Sequence, residues 1–504
     1  MELKRIFGGT LVSYLNIAVS SLTNLILVPM YIYYLGAEEY GLWLIVLTIV
    51  SYLGFSHLGI GQSVANFVAE SRATNDHKSI EVGISTAFWL YVLIVTPVIC
   101  AVVIITGLGF FENLVKVSPE LVQAFELLIL ISSILFLFKL PLTVFGSSLR
   151  ALNLIYLEQL LSLIFNLLQF FGVLLLLRLG YGLVGLSLIY GSVGIVLGIT
   201  TFVFLRFNVA RLSISPLRFS PAIAISLLKP GGYFFVLQIA GALINGLDNL
   251  VIGRYIGAEE VVPFAVAMKL MWLSMSLISV ISSNLLPSIT AAFAREDYYE
   301  LQRIYLTLQQ VCFGAGLLIF INLAAIGPDF ISAWVGIDSY VGDLCFNLIL
   351  LLFLLTTILW PAEVVIVGTS KHKGYALITV LEGLLNVALS IYWVQIWGVV
   401  GAIGATIAVR LATSFLYMIH KSSRITGVSA LKMFRRTLSP FILPALGCLV
   451  LILFFGQLDI EGIPKIIFHA ITLSLAYVWL VFYASLDAGY RAKIFDNVLS
   501  FIKA

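Results

Sequence analysis

The chain has 504 residues, of which 61% are apolar and only 11% charged. Ordinary soluble domains carry roughly 25% charged residues, so a water-soluble protein is excluded. The formal net charge of +3 says little about partners, and the scattered basic residues give no support to a nucleic-acid partner.

A helix that spans a bilayer needs about 20 predominantly apolar residues. Apolar runs of that length predict an all-α integral membrane protein with about fourteen transmembrane helices, at about 8–35, 40–67, 83–109, 122–148, 154–177, 181–205, 231–255, 261–292, 304–327, 344–368, 374–396, 399–419, 438–456 and 465–486. Lys4 and Arg5 precede the first run in the manner of a secretory signal. Such cores are only about 7–15 residues long, so this longer run is expected to stay as helix 1. Cys100, Cys312, Cys345 and Cys448 fall in or beside apolar runs without metal-like spacing, which suits packing residues.

Short loops rich in Lys and Arg stay on the cytoplasmic side. With the N-terminus inside, 21 of the 28 basic residues fall on inner segments, among them Arg72, Arg150, Arg206, Lys371 and Arg436. Lys116, Arg178, Arg254 and Lys465 fall outside, and Lys139, Lys269 and Arg410 lie within helices. Both termini are therefore expected in the cytoplasm. The basic loops at Arg206 to Lys229 and Lys421 to Arg436 are also placed to meet anionic membrane lipids. The longest outer break, Gly327 to Asp343, has about seventeen residues, too few for a catalytic outer domain, and the five histidines are dispersed. A hydrolytic or metal site is not expected.

The sequence repeats itself. YLGAEE from Tyr34 returns as YIGAEE from Tyr255, and at the same offset of 221 Asn24 matches Asn245. GSSLRAL from Gly146 resembles GTSKHKG from Gly368 at offset 222, and GLVGLS from Gly182 resembles GVVGAI from Gly398 at offset 216. Six helices separate equivalent points, which predicts two same-handed six-helix lobes around a central cavity. The expected organisation is an N-lobe at 1–210, a cytoplasmic linker at 211–230, a C-lobe at 231–425, and helices 13 and 14 with a tail at 426–504.

Four segments carry a family resemblance: PMYIYYLGAEEYGLW from Pro29, LGIGQSVANFVAE from Leu58, LPSITAAFARED from Leu286 and WGVVGAIGATIA from Trp397. In order and spacing they resemble the polysaccharide and O-antigen (Wzx-type) lipid flippases, of the superfamily that includes the multidrug MATE exporters. The resemblance covers nearly the whole chain. It implies a two-lobed bundle of twelve to fourteen helices that moves undecaprenyl-diphosphate-linked oligosaccharides from the inner to the outer leaflet of a bacterial cytoplasmic membrane.

A diphosphate-linked glycan needs buried cations and polar faces along its path, and ionisable groups inside helices cost about 2.5 kcal/mol or more. Lys139 has no acid within reach on its own helix, and Pro141 frees backbone groups beside it. It is the first candidate for the diphosphate. Snorkelling to head groups, or a partner such as Glu158 or Glu363, is the competing account. Asp248 with Lys269, and Glu382 with Arg410, lie at matching depths and suit ion pairs, whether structural or gating. Ser13, Asn16, Ser20 and Asn24 share a face of helix 1, and Gln238, Asn245 and Asn249 one of helix 7. These faces line a cavity or hydrogen-bond between helices. Pro29, Pro97, Pro287 and Pro361 are candidate bending points.

No Walker-type segment is present, so movement is expected to draw on an H+ or Na+ gradient, the membrane potential or the cargo gradient, with Asp248, Glu363 and Glu382 as the carboxylates able to take the ion and no cofactor. The substrate-binding set is thus Lys139, Lys269, Arg410, Asn24, Asn245, Asn16 and Gln238. A MATE-type drug or cation antiporter is the alternative, disfavoured by these three cations. A non-catalytic component working with a polysaccharide polymerase or assembly proteins is another.

Overall fold

The computed structural model describes residues 2–111, 114–209, 212–229, 241, 246–371, 373–455 and 462–485. Among these there is no strand. Among the described residues twelve helices are long and apolar enough to cross a membrane. The first of them, 18–73, has 56 residues. At 1.5 Å per residue that is about 80 Å, far more than a bilayer core of about 30 Å, so it accounts for two crossings. The turn falls at Gly36, whose φ of 77° breaks the helical path inside α1 (Glu2–Leu53). Glycine has no Cβ to oppose that conformation. Most of the seventh expected span, including Gln238 and Asn245, lies outside the described residues.

Further along come α2 (Ile60–Ala73), α3 (His77–Gly107), α4 (Pro119–Ala151), α5 (Ile155–Arg178), α6 (Gly182–Asn208), α7 (Asp248–Tyr255), α8 (Val261–Ala294), α9 (Tyr298–Val335), α10 (Asp343–Gly368), α11 (Lys373–Trp397), α12 (Val399–Arg410), α13 (Leu416–Thr426), α14 (Ala430–Phe455) and α15 (Gly462–Leu480). A π-helical turn, Leu411–Phe415, joins α12 to α13.

Two expectations need correction. The run at 40–67 is not one helix: after α1 a 3-10 turn, Gly54–His57, leads into Leu58 and Gly59, both left-handed, before α2 starts. The apolarity is continuous there, and only the spacing of Gly54, Gly59 and Gly61 marks the break. Conversely, the outer break at Gly327 to Asp343 is mostly helix. α9 runs through Pro328 to Val335, and Gly327 within it is seated against Phe346, whose ring would lie 2.4 Å from an added Cβ. Polarity returned before the helix ended.

The chain divides into two compact units, residues 1–262 with 386–398, and residues 263–385 with 399–504. In the first, Ile60, Val64 and Val68 of α2, Ile80, Ile84 and Tyr91 of α3, and Leu137, Leu140 and Val144 of α4 make one buried core. Their spacings of three, four and seven residues place each set on one helix face. α4 also meets α6 along a glycine stripe. Leu135, Lys139 and Leu142 seat on Gly191, Gly194 and Gly198, where an added Cβ would lie 2.3–2.7 Å from them. Such stripes let helices approach where lipid offers no hydrophobic drive to association.

Each unit contains the same turns. At offset 221, Asn75 (φ 56°) corresponds to Glu296 (φ 58°). The amides of Asn75 and Asp76 donate to the carbonyls of Arg72 and Ser71, and those of Glu296 and Asp297 to Phe293 and Ala292. Asp76 then accepts from the Ser79 amide at 3.0 Å, and Asp297 from the Glu300 amide at 2.9 Å, as N-caps of α3 and α9. A second pair of turns matches at offset 217: Asn153 (φ 59°) donates to Arg150 and Leu154 to Leu149, while Ser370 (φ 56°) donates to Val367 and Lys371 to Ile366. That corrects the offset of 222 for the Gly146 and Gly368 strings, since Gly368 is equivalent to Ala151. From Asn75 to Asn153 is 78 residues and from Glu296 to Ser370 is 74, so the second hairpin is shorter by four.

Candidate functional site

A cavity of about 560 Å³ lies inside the first unit, bounded by the helix break at 54–59, α2, α4, α5 and α6. One face of α4 supplies a polar ladder at near-helical spacing, Lys139, Thr143, Ser147 and Arg150. Lys139 and Arg150 are eleven residues apart, roughly 16 Å along the axis, so the ladder runs from the helix end deep into the apolar span. Facing it are His57 and Gln62 at the break and Glu158 and Ser162 of α5. The Tyr91 hydroxyl lies 3.0 Å from His57 Nδ1 and 3.2 Å from the His57 carbonyl, which fixes the broken segment against α3.

Lys139 is half-buried, with its aliphatic stem laid over Gly194. Among the described residues it makes no ion pair or hydrogen bond. Glu158, one of the two partners the sequence offered, is engaged elsewhere: its Oε1 is 3.0 Å from Arg150 Nη1, and its Oε2 accepts from the Gln159 amide at 2.9 Å. The sequence counted Arg150 only as a topological charge and did not single out His57, Gln62, Thr143 or Ser147. The i, i+4, i+8, i+11 pattern from Lys139 was the signal available.

The amide face of helix 1 is divided. Asn16 donates to Gln159 at 3.2 Å and to Ser162 at 3.1 Å, and accepts from Asn166 at 2.8 Å, so it joins α1 to α5. Asn24 is exposed, and its amide donates to the Ser20 carbonyl of its own helix. The side chain of Ser13, and residues Gln238 and Asn245, lie outside the described set. Asn249 of α7 donates to Thr48 at 3.2 Å. Asp248 opens α7 and is buried.

The second unit holds a different cluster. Arg410 Nε lies 3.1 Å from Glu382 Oε1, the ion pair their depths suggested, and Arg410 Nη1 donates to Thr356 at 3.2 Å. Thr413 and Ser414, in the π-helical turn, both donate to Glu382 Oε2. The wider turn is what brings two adjacent hydroxyls to one carboxylate oxygen. Glu363 of α10 takes a hydrogen bond from Tyr375. Lys269 is half-buried on α8 in the same unit. Among the described residues no group of His, Cys, Asp and Glu could hold a metal ion.

Apolar spans, a helix broken at mid-course and a cavity among those spans define a multi-pass helical membrane protein. The chain belongs to the polysaccharide biosynthesis protein family, whose profile matches residues 6–293. Its fold is that of a lipid II flippase, MurJ, solved in an inward closed conformation, with a TM-score of 0.73 at 15% identity over 93% of this chain and 98% of that one. A multidrug resistance MATE transporter of the MOP superfamily in an inward-facing conformation matches with a TM-score of 0.60 at 15% identity, over 85% of this chain and all of that one. A MOP superfamily transporter from Pyrococcus furiosus, described as having a binding pocket of reverse polarity, matches at 0.58 and 15%, over 84% and 96% of the two chains. No curated protein matches the sequence.

Proposed function

We propose that the protein flips undecaprenyl-diphosphate-linked oligosaccharide units from the cytoplasmic to the outer leaflet of a bacterial cytoplasmic membrane, by alternating access of two repeat-built lobes, for O-antigen or related polysaccharide biosynthesis. The observation that carries this reading is an ammonium group without an ion-pair partner among the described residues, facing the cavity and roughly 16 Å along α4 from Arg150. A lone cation in the apolar span is costly, and a phosphate oxygen is the natural group to satisfy it. Membership of a polysaccharide biosynthesis family and the fold shared with a lipid II flippase support the same cargo class. The cations speak against a drug or cation antiporter.

In this reading Lys139 holds a phosphate and Arg150 guards the cytoplasmic mouth, and Asn24, Asn245, Gln238 and Lys269 are further candidates to meet the cargo. Glu363 and Glu382 set two carboxylates against the single guanidinium of Arg410. One H+ or Na+ taken there, or at Asp248, neutralises the excess and links transport to an ion gradient. Membrane lipids flank the path, and a polysaccharide polymerase or assembly proteins receive the product.

The test is leaflet exchange in liposomes loaded with a fluorescent polyprenyl-diphosphate oligosaccharide. Wild type is expected to exchange it, Lys139→Ala at least about tenfold more slowly, as befits the loss of a charge-assisted hydrogen bond, and Lys139→Arg close to wild type. Absence of protein-dependent exchange would sink the flippase reading. Equal rates for wild type and Lys139→Ala would remove Lys139 from it.

A further inference from the structure

The cavity is joined to helix 1 by an unbroken line of side-chain hydrogen bonds. It starts at Arg150, 3.0 Å from Glu158 Oε1. The other oxygen of Glu158 accepts from Gln159 Nε2 at 2.9 Å. Gln159 Oε1 accepts from Asn16 Nδ2 at 3.2 Å, and Asn16 Oδ1 accepts from Asn166 Nδ2 at 2.8 Å. Asn166 Nδ2 also lies 3.3 Å from Ser20 Oγ. From Asn166 through Asn16 and Gln159 each amide donates toward Glu158, so the orientation of Gln159 is set by the carboxylate it serves.

We infer that Glu158 and Gln159 are positioning residues that report occupancy of the cavity by a phosphate group to helix 1, through Asn16. This rests on the reading of the cavity as an anion site. Arg150 is the one link exposed at the mouth, with 48% of its side chain accessible, and a phosphate competes directly with Glu158 for its guanidinium. Once Arg150 turns to phosphate, Glu158 loses its cation and repels the arriving anion. Its carboxylate and the Gln159 amide then rearrange together. Gln159 is a side chain on which Asn16 depends, so the α1–α5 seam loosens when the cavity fills and tightens when it empties. Helix 1 is the element that leads directly to the Gly36 turn and the segment beyond it, so a change in its hold on α5 is felt at the far side of the membrane.

Hydrogen exchange of the full chain in nanodiscs, with undecaprenyl diphosphate as the probe, separates binding from response. In wild type the ligand is expected to raise exchange at residues 15–25 at least about threefold, the signature of a locally loosened helix. Gln159→Leu and Asn166→Leu, which removes the amide that holds Asn16, are expected to bind the probe within about threefold of wild type while losing its effect on residues 15–25. Ser20→Ala, which trims only the end of the line, keeps the effect. A ligand response that persists in both Gln159→Leu and Asn166→Leu overturns the relay, as does wild-type binding with no change in helix 1. Failure of wild type to bind the probe at all is a different result, which removes the anion site itself.

Discussion

Glu382 and Arg410 lie 3.1 Å apart with 2% and 12% of their side chains accessible, and three hydroxyls complete their hydrogen bonds. Lys139, in the other unit, lies along an open cavity with its stem on a glycine, and Glu158 across the cavity is committed to Arg150. Both are ionised groups within apolar spans, yet one arrangement is closed on itself and the other is incomplete. A satisfied pair is a structural component until something changes its proton count. An unsatisfied cation is already waiting for a ligand, and under the proposed function that contrast gives cargo to the first unit and ion coupling to the second.

The largest effect is expected where the closed arrangement is broken. Glu382→Leu takes from the buried Arg410 guanidinium the carboxylate that pairs with it at 3.1 Å, and breaking a buried pair costs about 3–5 kcal/mol in other proteins, visible as a lowered unfolding temperature of the purified protein. Glu382→Leu combined with Arg410→Met removes both charges and is expected to regain most of that loss, since well-packed apolar replacements of buried pairs are often neutral. Lys139→Ala should show the reverse profile, within about 1 kcal/mol of wild type in stability because no partner is stranded, but slow in cargo exchange. If Lys139→Ala unfolds as readily as Glu382→Leu, the contrast between the two regions is wrong.

A smaller effect sharpens the same contrast through Gly194. A valine there would place its Cβ 2.7 Å from Lys139 Cδ, so the ammonium must swing out of its seat. Overpacking costs about 1–3 kcal/mol, and exchange is expected to fall nearly as far as for Lys139→Ala. Gly198→Val inflicts a similar clash, 2.5 Å from Leu142 Cβ, without touching the lysine. Comparable destabilisation with faster exchange in Gly198→Val than in Gly194→Val ties transport to where the ammonium points. Equal exchange in the two would show that only helix packing matters.

What the sequence disclosed follows from the physics of each feature. Helix number and course were legible because lipid leaves no choice but long apolar helices, and the repeated YxGAEE string exposed the duplication. Lys139 and the Glu382–Arg410 pair stood out because charge is rare inside such helices. The break at 54–59 was hidden, since Leu58 and Gly59 turn left-handed inside an uninterrupted apolar run. Arg150 was hidden, and Glu158 was read only as a partner for Lys139, for another reason: both occupy helix ends, where charge is ordinary, and only the folded arrangement of α4 and α5 makes them a cavity wall. The use of Asn16 depended on Gln159 and Asn166, whose spacing on α5 has no meaning until α1 lies against it.

The smallest expected effect uses the matched turns as an internal control on whether the two units obey the same local rules. Asn75 and Glu296 occupy the same left-handed position, at φ 56° and 58°, and both are exposed. Asparagine tolerates that region better than glutamate, because its short amide bonds locally and its side chain crowds the backbone less. Glu296→Asn is therefore expected to stabilise the protein and Asn75→Glu to destabilise it, by similar amounts on the order of 0.5–1 kcal/mol. Neither residue touches the cavity or the ion pair, so leaflet exchange should be unchanged in both. Opposite shifts of like size in unfolding temperature would mean that the four-residue difference between the hairpins leaves their turns energetically equivalent; shifts of the same sign would mean that the shared backbone pattern conceals different surroundings.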